Sequence, residues 1–126
     1  MRQLISSGAP WEVAVGYSRA VRVGQVVEVA GTTAQDGDTI TGGDEYAQTK
    51  RILEKIAAAL HEAGATLEQV VRTRIFVVNI ANWEAVGRAH GEVFSQIRPA
   101  ATLVQVAALI DPRLLVEIEA TAIITE

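Results

Sequence analysis

Cysteine is absent from the 126 residues, which excludes disulfides, thiolate nucleophiles and every cysteine-ligated metal site. Histidine occurs only at His61 and His90, too sparse a supply for a histidine-held metal, so no metal or cofactor is expected. No hydrophobic run reaches membrane-spanning length, and Met1-Arg2-Gln3-Leu4-Ile5-Ser6 lacks the apolar stretch of a signal peptide. A cytoplasmic protein with no membrane partner is the expectation. Positive charge is also short: eleven Lys and Arg face fifteen Asp and Glu, a net of −4. The densest basic spots, Lys50-Arg51 and Arg72-Thr73-Arg74, are too small to meet a phosphate backbone, so no nucleic-acid partner is expected. Common catalytic signatures are missing as well, including G-x-S-x-G, the Walker lysine motif, H-E-x-x-H and G-x-G-x-x-G. His90-Gly91-Glu92 has the H-x-E of a zinc deaminase, but the cysteine pair which that site needs is absent.

What the chain has in quantity is aliphatic residue. Hydrophobic residues make up 49% while aromatic ones supply only 5%, so Val, Ile, Leu and Ala must fill either a core or a subunit interface. No linker, repeat or low-complexity stretch divides residues 1–126, which read as one domain. Val21-Arg22-Val23 and Val26-Val27-Glu28-Val29 flank Gly24-Gln25 and predict a β-hairpin. After Thr41-Gly42-Gly43, Asp44 is placed to cap a helix whose apolar side repeats through Tyr46, Thr49, Leu53, Ile56, Leu60 and Ala63, with Gly64 as its left-handed stop. The β-branched run Val70 to Val78 predicts a strand. Asn82 is expected to cap a second helix, apolar at Trp83, Val86, Ala89, His90, Val93 and Ile97. Glu84, Arg88 and Glu92 would form its solvated, mutually paired face, and Arg98-Pro99 its end. Strands at Thr102 to Leu109 and Leu114 to Ile124, joined by a turn at Asp111-Pro112-Arg113, complete an α+β pattern: one mixed β-sheet with two helices on one face. The strand from Thr102 to Leu109 is uncharged on both alternating sets, which predicts burial on both faces. Two helices cover one face only, so a homo-oligomer is the expected cover for the other.

Few residues carry chemistry. His90 lies on the apolar helical stripe and reads first as a packed histidine. Glu117 and Glu119 share one face of the last strand; either that face is solvated or one carboxylate enters a polar cleft, because an unpaired buried carboxylate is costly. Tyr17 and Arg19 share a side if their segment is extended. Val29-Ala30-Gly31-Thr32-Thr33 ends a strand with a glycine that can admit a ligand to the backbone or simply turn the chain.

Gly16-Tyr17-Ser18-Arg19-Ala20-Val21, Val29-Ala30-Gly31, Gln48-Thr49-Lys50-Arg51-Ile52-Leu53, Phe76-Val77 and the stretch from Arg98-Pro99-Ala100 to Val116-Glu117-Ile118-Glu119-Ala120 together resemble the reactive intermediate deaminase (Rid) or YjgF family, whose older names are L-PSP endoribonuclease and translation inhibitor. The resemblance spans essentially the whole chain. It implies a chorismate-mutase-like fold and a homotrimer with small-molecule clefts between subunits. It also implies hydrolysis of reactive 2-imino or 2-amino-enoic acids to 2-keto acids and ammonia. By the same resemblance Glu117 is the water-orienting glutamate, Tyr17 the cleft tyrosine and Gly31 the cleft backbone contact. One position departs from the pattern. Active members read proline-alanine-arginine and clamp the substrate carboxylate with that arginine, whereas this sequence has Pro99-Ala100-Ala101. Leu103 replaces a cysteine or other small residue, and Gly87 and His90 stand where asparagine and tyrosine are common. The chain thus resembles an arginine-lacking branch. Two functions stay open: an imine or enamine deaminase in which Arg19 or Arg74 supplies the cation, or a non-catalytic metabolite-binding, regulatory or chaperone-like trimer. A ribonuclease is suggested only by the older family name, and the acidic charge balance opposes it.

Overall fold

A computed structural model, describing residues 1–125, builds the chain from a sheet and two long helices. The first helix, α1 (Glu45–Glu62), starts where the cap residue dictates: the Asp44 carboxylate accepts the Ala47 amide at 3.0 Å. Its three- and four-residue spacing buries Ile52, Leu53, Ile56, Ala59 and Leu60. Gly64, at a φ of 88°, takes the left-handed conformation that ends the helix. Arg22 completes that end by donating to the Ala63 carbonyl at 2.8 Å.

The sheet has six strands: β1 (Arg2–Ile5), β2 (Ala20–Val23), β3 (Val26–Thr32), then β6 (Val70–Val77), β7 (Ala100–Gln105) and β8 (Val116–Ile123). A separate small hairpin pairs β4 (Gln35–Asp36) with β5 (Thr39–Ile40). In space the sheet runs β1-β2-β3-β8-β6-β7, and β6 with β7 is its parallel pair. The last strand in sequence therefore lies in the middle. Val116, Ile118, Ala120 and Ala122 of β8 are buried at 1% exposure or less against α1 and its neighbours. The alternate residues Glu117, Glu119, Thr121 and Ile123 face the other way, where no helix covers them. The second helix, α2 (Trp83–Phe94), packs beside α1 and buries Val86, Ala89 and Phe94.

The α+β class, the mixed sheet and the one-sided placement of the helices agree with the sequence expectation. Several details do not. The strand expected from Thr102 to Leu109 runs from Ala100 to Gln105, because its parallel partner β6 ends at Val77 and the last contact is Val106 N–H to the Val77 carbonyl at 2.8 Å. The final strand begins at Val116 rather than Leu114. Helix α2 stops at Phe94, before the apolar position Ile97: the amides of Ile97 and Arg98 both turn back to the Phe94 carbonyl, and Arg98 adopts a φ of 58°. Asn82 does not cap α2 with its side chain; its amide instead donates to the buried Glu45 carboxylate at 2.8 Å. Glu84, Arg88 and Glu92 do not pair among themselves either. Glu92 accepts the Tyr46 hydroxyl and the Lys50 ammonium, at 2.5 and 3.1 Å, and Arg88 lies over the Tyr46 ring. That face ties α2 to α1. Strand β1, the β4–β5 hairpin and a π-helical turn at Glu12–Gly16 had no counterpart in the sequence expectation.

One buried polar residue joins three parts of the fold. Gln48, 2% exposed, donates to the carbonyls of Thr41 and Arg113 and accepts the Leu115 amide at 2.8 Å. It holds the entry to α1 against the entry to β8. Replacing it by leucine leaves three partly buried backbone groups without these partners, each bond worth on the order of 1 kcal/mol. Gln48→Leu is expected to lower unfolding free energy by about 3 kcal/mol, read as a reduced urea midpoint at unchanged slope.

Candidate active site

The open face of the sheet carries the charged groups. A bulge interrupts the β3–β8 register between Val29 and Thr32, opposite Ile118, and swings Gly31 toward the Glu117 side chain. A Cβ on Gly31 would overlap the Glu117 carboxylate, so the bare glycine is the space that the glutamate occupies. Glu117 is half-buried and makes no hydrogen bond to a described residue. Its pKa is raised, first by burial and then by the like charge of Glu119, with the Arg19 guanidinium opposing both. Glu119 has its own partner in Arg74, at 3.8 Å. Arg74 is therefore engaged two residues along the strand, which distinguishes the two carboxylates.

Arg19 lies at the centre of the remaining polar groups. Its Nη2 donates to the Gly31 carbonyl at 2.8 Å, and its guanidinium carbon lies 5.9 Å from the centre of the Tyr17 ring. Its Nε is buried without a partner. Among the described residues no carboxylate comes within ion-pair distance of it, and Nη1 donates to none of them. The cation is thus fixed by a backbone carbonyl while part of its fork stays open. Tyr17 is extended, as its sharing a side with Arg19 requires. Lys55, which sequence reasoning did not single out, braces the segment after Gly31 by donating to the carbonyls of Thr33 and Gln35, at 2.8 and 2.6 Å.

Tyr17, Ala30 and Glu119 also line a groove of about 660 Å³ with Leu4, Val21 and Glu28. Of the residues singled out in the sequence, Tyr17, Arg19, Gly31 and Glu117 are brought together by the Arg19–Gly31 hydrogen bond, the Arg19–Tyr17 contact and the close approach of Glu117 to Gly31; of these only Tyr17 lines the groove. Ala101 and Leu103 are not part of this group. Ala101 is in register with Thr73, and Leu103 with Ile75, on the face of the sheet that carries the helices. Leu103 packs on the core there, while Thr73 is buried and meets His90 Nε2 at 3.0 Å. Within one chain the sheet itself separates Ala101 from Glu117. His90 is, as the sequence suggested, a packed histidine, its ring centre 4.7 Å from that of Phe94 and tilted 40° to it, and burial lowers its pKa. Among the described residues no three His, Asp or Glu side chains cluster in a way that would hold a metal.

The chain and its fold match known proteins. The family model described as Endoribonuclease L-PSP matches residues 8–124. A solved Mycobacterium tuberculosis protein, described as a member of the highly conserved YjgF/YER057c/UK114 family, superposes with a TM-score of 0.92 at 52% identity, covering 98% of this chain and 100% of that one. The chain belongs to the Rid/YjgF family. An uncharacterized protein of Streptomyces coelicolor is 45% identical over 119 residues, covering 94% of this chain and 89% of its own. The 3-aminoacrylate deaminase RutC of Acinetobacter baylyi is 34% identical over 121 residues, covering 94% of each chain. No helix among the described residues of this Rid-family protein is long and apolar enough to cross a membrane.

The raised pKa of Glu117 has a stability consequence whose sign is fixed. The folded chain holds this proton more tightly than the unfolded chain, so stability declines as pH rises from the unfolded value, near 4.5, through the raised folded one. Above that window the deficit is complete. Glu117→Gln removes it. The variant should melt above the wild type at about pH 8, with the difference vanishing near about pH 3.5, in paired thermal scans.

Proposed function

We propose that this protein is a hydrolytic deaminase of small imines or enamines, with Glu117 as its acid–base group. The observation that carries this is the half-buried Glu117 carboxylate, unpartnered and shifted upward, held against a glycine with no side chain. A base poised nearer neutrality than a free glutamate can both take and return a proton. Ionised Glu117 draws a proton from water as the water oxygen bonds to the imine carbon. The resulting carbinolamine then receives that proton on nitrogen; the carboxylate, ionised again, takes the carbinolamine hydroxyl proton as the carbonyl forms, the C–N bond breaks and ammonia leaves. An enamine substrate first gains a proton on carbon to become the imine. Arg19 supplies the anchor for an acidic substrate through the part of its fork not used by Gly31, and the Tyr17 ring forms one wall. The Acinetobacter relative, a 3-aminoacrylate deaminase, supports the same substrate class.

Completing the cleft calls for a second copy of the chain, and a homotrimer is the assembly proposed. Ala101 and Leu103 cannot reach Glu117 across their own sheet. Leu4, Val23, Val26, Val104 and Ile123 are all at least 40% exposed, an apolar surface that a second sheet would cover. Such a cleft would lie between neighbours, with Ala101 offering no cation to it. That alanine is also what favours the second reading, a trimer that binds metabolites without converting them.

Two measurements separate these outcomes. Light scattering after gel filtration should give about three times the 13.5 kDa chain mass; a monomer would exclude the shared cleft. In an assay generating 2-iminopropanoate in place, the wild type should release pyruvate about 100-fold faster than Glu117→Gln. Equal, background release by both would leave the binding role.

A further inference from the structure

We propose that Glu12 is a positioning residue for Tyr17: its carboxylate is the internal anchor of the loop between β1 and β2 and sets where the tyrosine stands in the cleft. This deepens the deaminase assignment and rests on it for its catalytic consequence, though not for the anchoring itself. The loop is closed at its base by the Arg19 amide donating to the Ile5 carbonyl at 2.8 Å. Between these residues the chain has no apolar core of its own. Trp11, Val13 and Val15 are 52%, 90% and 74% exposed, whereas Glu12 is 5% exposed. The one side chain buried within the loop is thus a carboxylate.

Three donors converge on it. Ser6 Oγ donates at 2.9 Å, the Ser7 amide at 3.1 Å, and Ser7 Oγ also bonds to it closely. The backbone carbonyl of the same residue accepts the Tyr17 amide at 2.9 Å, closing the π-helical turn Glu12–Gly16. Gly8 and Gly16, at φ of 83° and 93°, let the chain enter and leave this turn. One residue therefore ties the serines at the start of the loop, through its side chain, to the tyrosine at its end, through its main chain. Glu12, Gly16 and Tyr17 all line the open-face groove. Burial acts to raise the Glu12 pKa, but the hydrogen bonds from Ser7 and Ser6 and the nearby Arg19 outweigh it and hold the carboxylate below its usual range. A charged acceptor makes each of those bonds stronger than a neutral one would.

The test compares Glu12→Ala and Glu12→Gln in the wild type and in Tyr17→Ala. Amide hydrogen exchange, which needs no activity, should rise about tenfold or more across residues 6–18 in Glu12→Ala and stay unchanged in β8. Glu12→Gln should recover part of the protection, because its amide oxygen still accepts from the serines. With 2-iminopropanoate, Glu12→Ala should raise KM about tenfold while kcat and its pH profile change less than about twofold. In Tyr17→Ala, adding Glu12→Ala should cost no more, since the tyrosine it positions is gone. Unchanged exchange in Glu12→Ala would overturn the anchoring, and a full additional loss in Tyr17→Ala would overturn the positioning. If the wild type releases no pyruvate, the deaminase assignment fails, and the exchange comparison still decides whether Glu12 anchors the loop.

Discussion

Helices on one face of a six-stranded sheet impose a single rule on every residue of its central strand. Each even-numbered position of β8 must be apolar, because α1 lies on it, and each odd-numbered position is released from that demand. Val116, Ile118, Ala120 and Ala122 satisfy the first condition at 1% exposure or less. Glu117 and Glu119 use the freedom of the second. A shift of one residue in the register would drive two carboxylates under the helix and expose the core set, so the hydrophobic pattern that folds the sheet also places the site. The chemistry is thereby fastened to the most strongly specified strand of the molecule rather than to a loop.

The site works against the stability of its surroundings. Glu117 is held half-buried beside a second carboxylate, and the nearest cation is committed to the Gly31 carbonyl instead of pairing with it. Glu119, two residues along and only partly exposed, has instead an arginine across the strand at 3.8 Å. The contrast between two identical side chains on one face shows how environment assigns roles. Gly31 makes it possible, since any side chain there would claim the same space. An arginine held by a backbone carbonyl keeps its orientation without neutralising its charge, which suits a group meant to meet a ligand.

Much of this was legible in the sequence because it follows from local rules. Asp44 and Gly64 mark the ends of α1 by cap chemistry, and the alternation along Val116 to Ile123 gives the two faces of β8. The shared side of Tyr17 and Arg19 follows from the period of an extended chain. Other features depend on partners that no local pattern reveals. The end of β7 is set by where β6 stops, and Asn82 is drawn from its capping position by Glu45, which is remote in sequence. The bulge at Gly31 is visible only when β8 is laid beside β3. Glu12 had no signal except its neighbours: two serines before it and glycines at positions 8 and 16, an unusual density of turn-permissive residues around one acid. The separation of Ala101 from Glu117 also escaped linear reading, because the two segments are neighbours in sequence yet face opposite sides of the sheet.

The central position of β8 also governs the order in which the molecule can be assembled. Its pairing with β3 joins Val26 to Ile123, so the chain must close a loop of most of its length before the sheet becomes continuous. Contacts of such long range are slow to form and are opposed by loop-closure entropy until they are made. On a ribosome, β1, β2 and β3 emerge first and can form only a meander whose β3 edge is unpaired, while β6 waits with an unpaired edge of its own. The strand that seals both edges is the last of the sheet to leave the exit tunnel, and it carries Glu117 with it. A chain stalled before that point has helices and hairpins but no carboxylate to set against Gly31. Completion of the fold and appearance of the site are one event.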